Sequence, residues 1–225
     1  MIHPEHQRRA YLQAMGIDVW LPRGADEPGV SDVESGAFEA ADLDWNELRQ
    51  CVTDCTRCAL ASSRTQTVFG VGNPEASWMI IGEAPGAEED RQGEPFVGRA
   101  GQMLNEMLRA IGQSRESVFI ANILKCRPPN NRDPKPEEAA ACRAYLQRQI
   151  SLVGPDIILA VGKIAAQNLL QTDEPVGSMR GRQHDLDGVP LVVTYHPAYL
   201  LRSPSQKSKA WSDLCLANRL SVAAA

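Results

Sequence analysis

Glu83 stands in a turn, GEAPG, directly after the apolar run Trp78 to Ile81, and several other chemically active residues follow apolar runs in the same way. An apolar run closed by glycine reads as a strand buried on both faces of a parallel sheet. The turn residues Gly82, Glu83, Ala84, Pro85 and Gly86 cannot extend a strand, and they bring backbone N–H groups close to whatever lies beyond its carboxyl end. The glycines are not followed by G-K-[ST], and Glu88, Glu89 and Asp90 would repel a pyrophosphate, so a neutral or cationic ligand suits this turn better than a nucleotide. Phe96 is a large aromatic placed to stand near the cleft. Asn122 ends the run Val118-Phe119-Ile120, Lys163 follows Asp156 to Val161, and His196 follows Pro190 to Tyr195. An Asn at a strand end offers both a donor and an acceptor, although such a residue often only caps a turn.

Cysteines form the second constellation. Cys51, Cys55 and Cys58 lie in CVTDCTRCALASSRT, which contains a C-x3-C-x2-C and, within it, a C-x2-C. The triple spacing is the one by which radical S-adenosylmethionine enzymes hold three corners of a [4Fe-4S] cluster. The pair Cys55 and Cys58 alone is half of a four-thiolate site, and Cys126 and Cys142, separated by 15 residues in KCRPPNNRDPKPEEAAAC, supply the other half. Four thiolates close either a cubane cluster or a tetrahedral zinc. The closed site is the favoured reading, because it staples two distant loops of one domain; the bland alternative is four unrelated buried thiols.

The elements that must position these groups are βα units. Four of them in sequence predict an α/β fold with a central, mostly parallel four-stranded sheet and helices on both faces. The strand ends carry Glu83, Asn122, Lys163 and His196, and open sheets of this class bind ligands at those ends. Met103, Leu104, Met107, Leu108 and Ile111 share one helical face that ends at Gly112. Further helices are expected from Pro136 to Ile150 and from Ile164 to Leu170, and Asp44 is placed to cap one running through Leu48. Between Arg127 and Pro136 lie four prolines and three basic residues, which predict a semi-rigid loop. In HPAYLLRSP, Leu200 and Leu201 are expected to be exposed beside Arg202 and Ser203. Apolar wedges flanked by basic and hydroxyl groups suit entry into a stacked duplex, while covering the core is the plainer role for two leucines.

At 225 residues the chain suits one well-buried domain. Residues 1–45 read as an N-terminal arm with a helical candidate at Gln7 to Met15 and a linker from Arg23 to Ala41; residues 46–220 read as the domain, and 221–225 as a disordered tail. The first 50 residues hold ten acidic and four basic side chains, so the net charge of −5 resides there, and the nearly neutral body can still gather basic groups on one face. Trp20 and Leu21 could dock a protein partner. No run of 18 apolar residues and no signal-like N-terminus occurs, which leads us to expect a monomeric cytoplasmic protein with no membrane association. Reduced thiols, rather than disulfides, follow from that setting.

Taken together, GNPEASWMIIGEAPGAEEDRQGEPFVGRAGQMLN, the strand ending at Asn122, KCRPPNNRDPKPEEAAAC and HPAYLLRSP resemble the iron-sulfur, or family 4, uracil-DNA glycosylases from about Cys55 to Lys207. The resemblance implies an enzyme of base excision repair that flips uracil out of DNA and hydrolyses its N-glycosidic bond. It implies a [4Fe-4S] cluster on Cys55, Cys58, Cys126 and Cys142, with Cys51 outside the pattern. Gly82, Glu83 and Ala84 would line the uracil pocket, Phe96 would stack on the base, and Asn122 would read its polar edge. His196 would face O2, and Glu89 would lie on the C5 side that distinguishes thymine. Arg127, Lys163, Leu200, Leu201, Arg202 and Ser203 would contact DNA.

The sequence departs from the wider pattern at one point. Many uracil glycosylases carry Asp immediately before the turn's proline, where this chain has Ala84, so the water-activating role falls to Glu83, to Glu89, or to no strict base. Some relatives bind uracil covalently through a His between the third and fourth cysteines; RPPNNRDPKPEEAAA has none, so ordinary turnover is expected. The alternative reading is a catalytically weak DNA-binding or polymerase-associated module of the same fold.

Overall fold

The computed structural model describes residues 40–224, so the expectations for the N-terminal arm, from Gln7 to Phe38, lie outside the described residues. Its strands are β1 (Val71–Gly72), β2 (Trp78–Gly82), β3 (Phe119–Asn122), β4 (Ile157–Val161), β5 (Gln183–Leu186) and β6 (Val189–Thr194). They form one sheet in the order β1-β3-β2-β4-β6-β5. The four central strands are mutually parallel, as the βα pattern predicts. The sheet is nevertheless six-stranded and mixed, because β1 and β5 add antiparallel edges that the four-stranded expectation lacked. Both additions are hard to read in sequence: β1 is two residues long, and β5 is half exposed and polar, QHDL. Short or polar edges of this kind also resist further strand pairing.

The helices are α1 (Trp45–Thr53), α2 (Ala87–Gln92), α3 (Arg99–Ala110), α4 (Pro136–Val153), α5 (Lys163–Leu170), α6 (Val176–Met179), α7 (Pro197–Arg202) and α8 (Lys207–Ala224). Asp44 caps α1, its carboxylate accepting from the N–H groups of Asn46 at 2.8 Å and Glu47 at 2.9 Å. Helix α8 extends through Ala224, into the segment 221–225. None of the described helices is long and apolar enough to cross a membrane.

The strand residues alternate between two buried layers. Trp78, Ile80, Val118, Ile120, Ile157, Leu159, Val161 and Val192 form one layer with Leu104, Met107 and Leu108 of α3, Leu200 of α7, and Ala210, Leu214 and Ala217 of α8. The opposite layer includes Phe119, on which Trp45 of α1 sits edge-on at 5.2 Å between ring centroids. A sheet buried on both faces leaves only its strand ends to meet a ligand, and the parallel register brings Gly82 beside Asn122 and Val161 beside Thr194.

A buried ion pair secures the last of these ends. Asp213 of α8, fully buried, accepts from Arg180 Nη2 at 2.8 Å and Nε at 3.0 Å, and from the Thr194 hydroxyl at 3.0 Å. Burial nonetheless pushes the Asp213 pKa up, the ion pair and the hydroxyl offsetting only part of the desolvation. Removing one partner should therefore cost more than removing both. Asp213→Ala is expected to lower the unfolding free energy by about 3 kcal/mol, and Asp213→Leu with Arg180→Met to recover most of it, as read by urea denaturation.

Candidate active site

Gly82, the last residue of β2, lies at the centre of the site. A Cβ there would come within 2.5 Å of both the Asn122 Oδ1 and the Phe96 ring, so a glycine is what lets these two side chains converge on the strand end. Asn122 is 2% exposed and, among the described residues, its Oδ1 has no hydrogen-bond partner, an acceptor already desolvated and awaiting a donor. Leaving such an atom unpaired costs about 1–3 kcal/mol, which a ligand donor would recover.

Phe96 is 7% exposed and its ring stacks near that of His196, at 5.8 Å and 30°. Its φ of 55° is left-handed, a conformation that costs a non-glycine residue about 1–2 kcal/mol. Gly101 in α3 makes room for it, since a Cβ there would overlap the Phe96 carbonyl. Arg115 donates to the same carbonyl at 3.2 Å and to that of Pro95.

His196 caps the short helix α7. Its Nδ1 accepts the Ala198 N–H at 3.2 Å, and desolvation, reinforced by Arg202 and opposed by Glu89, holds its pKa down near 4. A neutral ring that accepts at Nδ1 carries its proton on Nε2 and presents a donor there. Glu83 is displaced the other way: burial first, then the charge of Asp133, pushes it up to about 7. In both cases burial disfavours the charged form.

Glu89 is engaged by main chain. Its Oε2 accepts the Gly86 N–H at 3.1 Å, and its Oε1 accepts those of Val97 at 3.0 Å and Gly98 at 3.3 Å. A carboxylate so engaged ties the start of α2 to the start of α3 and is poorly placed to accept a proton from water. The expectation that both leucines of HPAYLLRSP are exposed is corrected as well: Leu200 is fully buried in the core, while Leu201 is 38% exposed. The reason is that Pro197 to Arg202 form a helical turn rather than an open loop, and a turn of helix sends adjacent side chains in different directions. Arg202 is exposed and Ser203 half-buried at its end, and Lys163 is exposed at the start of α5. Arg127 is held by Asn131 Oδ1 at 2.7 Å, in a loop where Asn130 and Asn131 both have positive φ.

Cys126 and Cys142 are buried, and Cys55 and Cys58 half-buried. Charge on Cys55 and Cys58 is felt at Cys126, and charge on Cys58 and Cys126 at Cys142, so the four thiols share one neighbourhood. Three of them meet donors: Cys126 Sγ accepts from Arg64 Nη1 at 3.2 Å, Cys142 from the Lys125 backbone N–H, and Cys55 is bonded to the Tyr145 hydroxyl. Among the described residues, no group of three or more His, Cys, Asp or Glu is drawn together tightly enough to hold a single metal ion. Burial raises the Cys142 thiol to about 11, a cost that ligation of a cation would reverse. Next to Cys126, Lys125 is itself 1% exposed and donates to the Asn122 carbonyl at 3.0 Å and to Gln149 Oε1 at 2.5 Å, linking the cysteine loop to the base of the cleft.

Arg64, Lys125, Asp133 and Arg115 were not singled out from the sequence. Arg64, Lys125 and Asp133 lie inside the two cysteine-bearing stretches and Arg115 in no motif, and each acts on the site through contacts that spacing does not announce. Only the adjacency of Lys125 to Cys126 could have drawn notice.

Residues 69–215 match the family described as the uracil DNA glycosylase superfamily. The chain is 46% identical over 167 residues to a Type-4 uracil-DNA glycosylase of Thermotoga maritima, spanning 72% of this chain and 87% of that protein. It is 43% identical over 170 residues to one of Archaeoglobus fulgidus, spanning 72% and 85%. A third, of Pyrobaculum aerophilum, is 42% identical over 182 residues, spanning 77% and 93%.

The opposed displacements at the cleft make a stability test possible. Glu83 binds its proton more tightly folded than unfolded, so its contribution is present below the ordinary value of 4.5 and is lost as pH rises through about 7. Glu83→Gln is expected to melt higher than the parent above pH 7 and to lose that advantage below pH 4.5, in thermal unfolding followed across pH.

Proposed function

This chain belongs to the uracil-DNA glycosylase superfamily, and from that premise we propose that it is a uracil-DNA glycosylase that takes uracil out of the DNA stack and hydrolyses its N-glycosidic bond. The observation that carries the site assignment is the unpaired, buried Oδ1 of Asn122 facing the Phe96 ring across Gly82. Uracil offers an N3–H to that oxygen and an O4 to the amide nitrogen. Cytosine presents a bare N3 and an amino group there and would leave both unpaired, a mismatch that polar sites reject strongly.

Extruding the base costs a few kcal/mol, and stacking on Phe96 returns roughly 1–3 kcal/mol. Leu201, the exposed leucine of α7, is placed to fill the vacated step, with Arg202, Ser203, Lys163 and Arg127 toward the phosphates. The bond from the sugar C1′ to N1 then breaks with both electrons leaving on uracil. The negative charge that grows on O2 meets the Nε2–H of His196, a neutral donor that needs no protonation to act. Water adds to the oxocarbenium carbon and gives its proton to Glu83, whose raised pKa places it near the working pH. Glu89 and Gly101 support the walls on which these groups stand.

Cys55, Cys58, Cys126 and Cys142 are assigned as ligands of a [4Fe-4S] cluster, and their shared neighbourhood, burial and N–H donors suit four thiolates. When bound, such a cluster supplies no step of the hydrolysis; with four protein thiolates it pins the α1 end and the Pro-rich loop to one another. Cys142→Ser is expected to yield colourless protein that melts well below the brown parent; a colourless variant of unchanged melting temperature would refute the staple.

The decisive assay is release of uracil from a labelled oligonucleotide, with thymine and cytosine controls. His196→Ala and Asn122→Ala should each fall by about 10²–10³ in kcat while keeping the parent's circular dichroism. The parent's rate should rise with pH through an apparent pKa near 7, the limb vanishing in Glu83→Gln. Folded parent that binds uracil-containing DNA without releasing the base would leave a binding module instead of an enzyme.

A further inference from the structure

Phe96 holds a backbone conformation that an aromatic residue does not choose by itself, and the groups that impose it come from three separate elements. Glu89 of α2 takes the N–H groups that follow Phe96, those of Val97 and Gly98. Gly101 of α3 leaves the space its carbonyl occupies. Arg115, in the connection between α3 and β3, takes the carbonyls on either side of the Phe96 nitrogen: Nη1 donates to Phe96 O at 3.2 Å and Nη2 to Pro95 O. Its side chain is only 17% exposed, and its charge is answered by Glu94 at 3.9 Å and by the fields of Glu116 and Glu89. A buried fork with both ends committed to main-chain oxygens is not arranged to meet a phosphate.

We propose that Arg115 is a positioning residue for base recognition, which by gripping the Pro95 and Phe96 carbonyls sets the plane of the ring against which the extruded uracil stacks. The inference rests on the assignment of Phe96 as the stacking residue. The planar guanidinium holds two carbonyls at a fixed separation, and a lysine ammonium has no such fork. With the grip released, the strained φ at Phe96 can relax and the ring leaves the Gly82 strand end. A displacement of that size at a substrate-positioning group costs on the order of 10²-fold in rate.

The test is a double-mutant cycle of Phe96→Ala and Arg115→Met, assayed for uracil excision at a temperature where circular dichroism shows all four proteins folded. Competitive inhibition by free uracil is measured alongside. Arg115→Met should lower kcat/KM by roughly tenfold to a hundredfold and weaken inhibition by uracil, with Arg115→Lys recovering only part. In the Phe96→Ala background the same change should cost almost nothing, because the interaction it serves is already gone. Gly101→Ala, which displaces the Phe96 carbonyl from the Arg115 grip while leaving the guanidinium in the chain, should reproduce both effects. Full additivity, or undiminished uracil inhibition in Arg115→Met, would overturn the proposal. If Phe96→Ala alone left uracil inhibition intact, the stacking assignment itself would fail and the proposal with it, an outcome distinct from additivity.

Discussion

The absence of a side chain at Gly82 is the constraint on which the rest of the site depends. The parallel pairing of β2 with β3 sets Gly82 opposite Asn122, and the space a Cβ would occupy is entered from one side by the Asn122 amide and from the other by the Phe96 ring. Any larger residue would push the Asn122 amide and the Phe96 ring apart. Much of the local structure serves this convergence. Glu89, Arg115 and Gly101 spend a carboxylate, a guanidinium and a missing methyl on holding one strained aromatic residue.

The cleft also separates the electrostatic character of its titratable groups by environment. The same low-polarity surroundings that keep His196 neutral raise the proton affinity of Glu83, because burial disfavours whichever form is charged. A neutral imidazole can donate to a developing anion without first competing for a proton, and a carboxylate of raised affinity can accept one from water. Burial is the larger cause of both shifts, and the charges of Asp133 beside Glu83 and Arg202 beside His196 add to it.

The cysteine neighbourhood extends this logic to the second half of the fold. Arg64 reaches Cys126 from beyond the first pair of cysteines, while Lys125 joins Cys142 through its backbone and the Asn122 carbonyl through its ammonium. The buried cysteines and the strand that ends at Asn122 are thus bonded into one piece, which gives the Pro-rich loop a fixed place relative to the strand end.

The central strands and the helices α1, α3, α4 and α5 were legible in the sequence, because apolar runs closed by Gly, Asn or His and apolar residues at helical spacing report burial and termination through local chemistry alone, whereas α2, α6, α7 and α8 were not read. Also legible was the identity of the residues at the strand ends, which the βα repeat places on one edge whatever the details of packing. The antiparallel edges β1 and β5 were not, since two residues and a polar hairpin arm carry no periodicity. Only tertiary structure decided that Leu200 faces the core and Leu201 the solvent, that Glu89 binds main chain rather than water, and that Arg115 holds Phe96. Those outcomes depend on which groups meet across long separations in the chain, and a linear sequence specifies which residues can bond but not which of them are brought within reach.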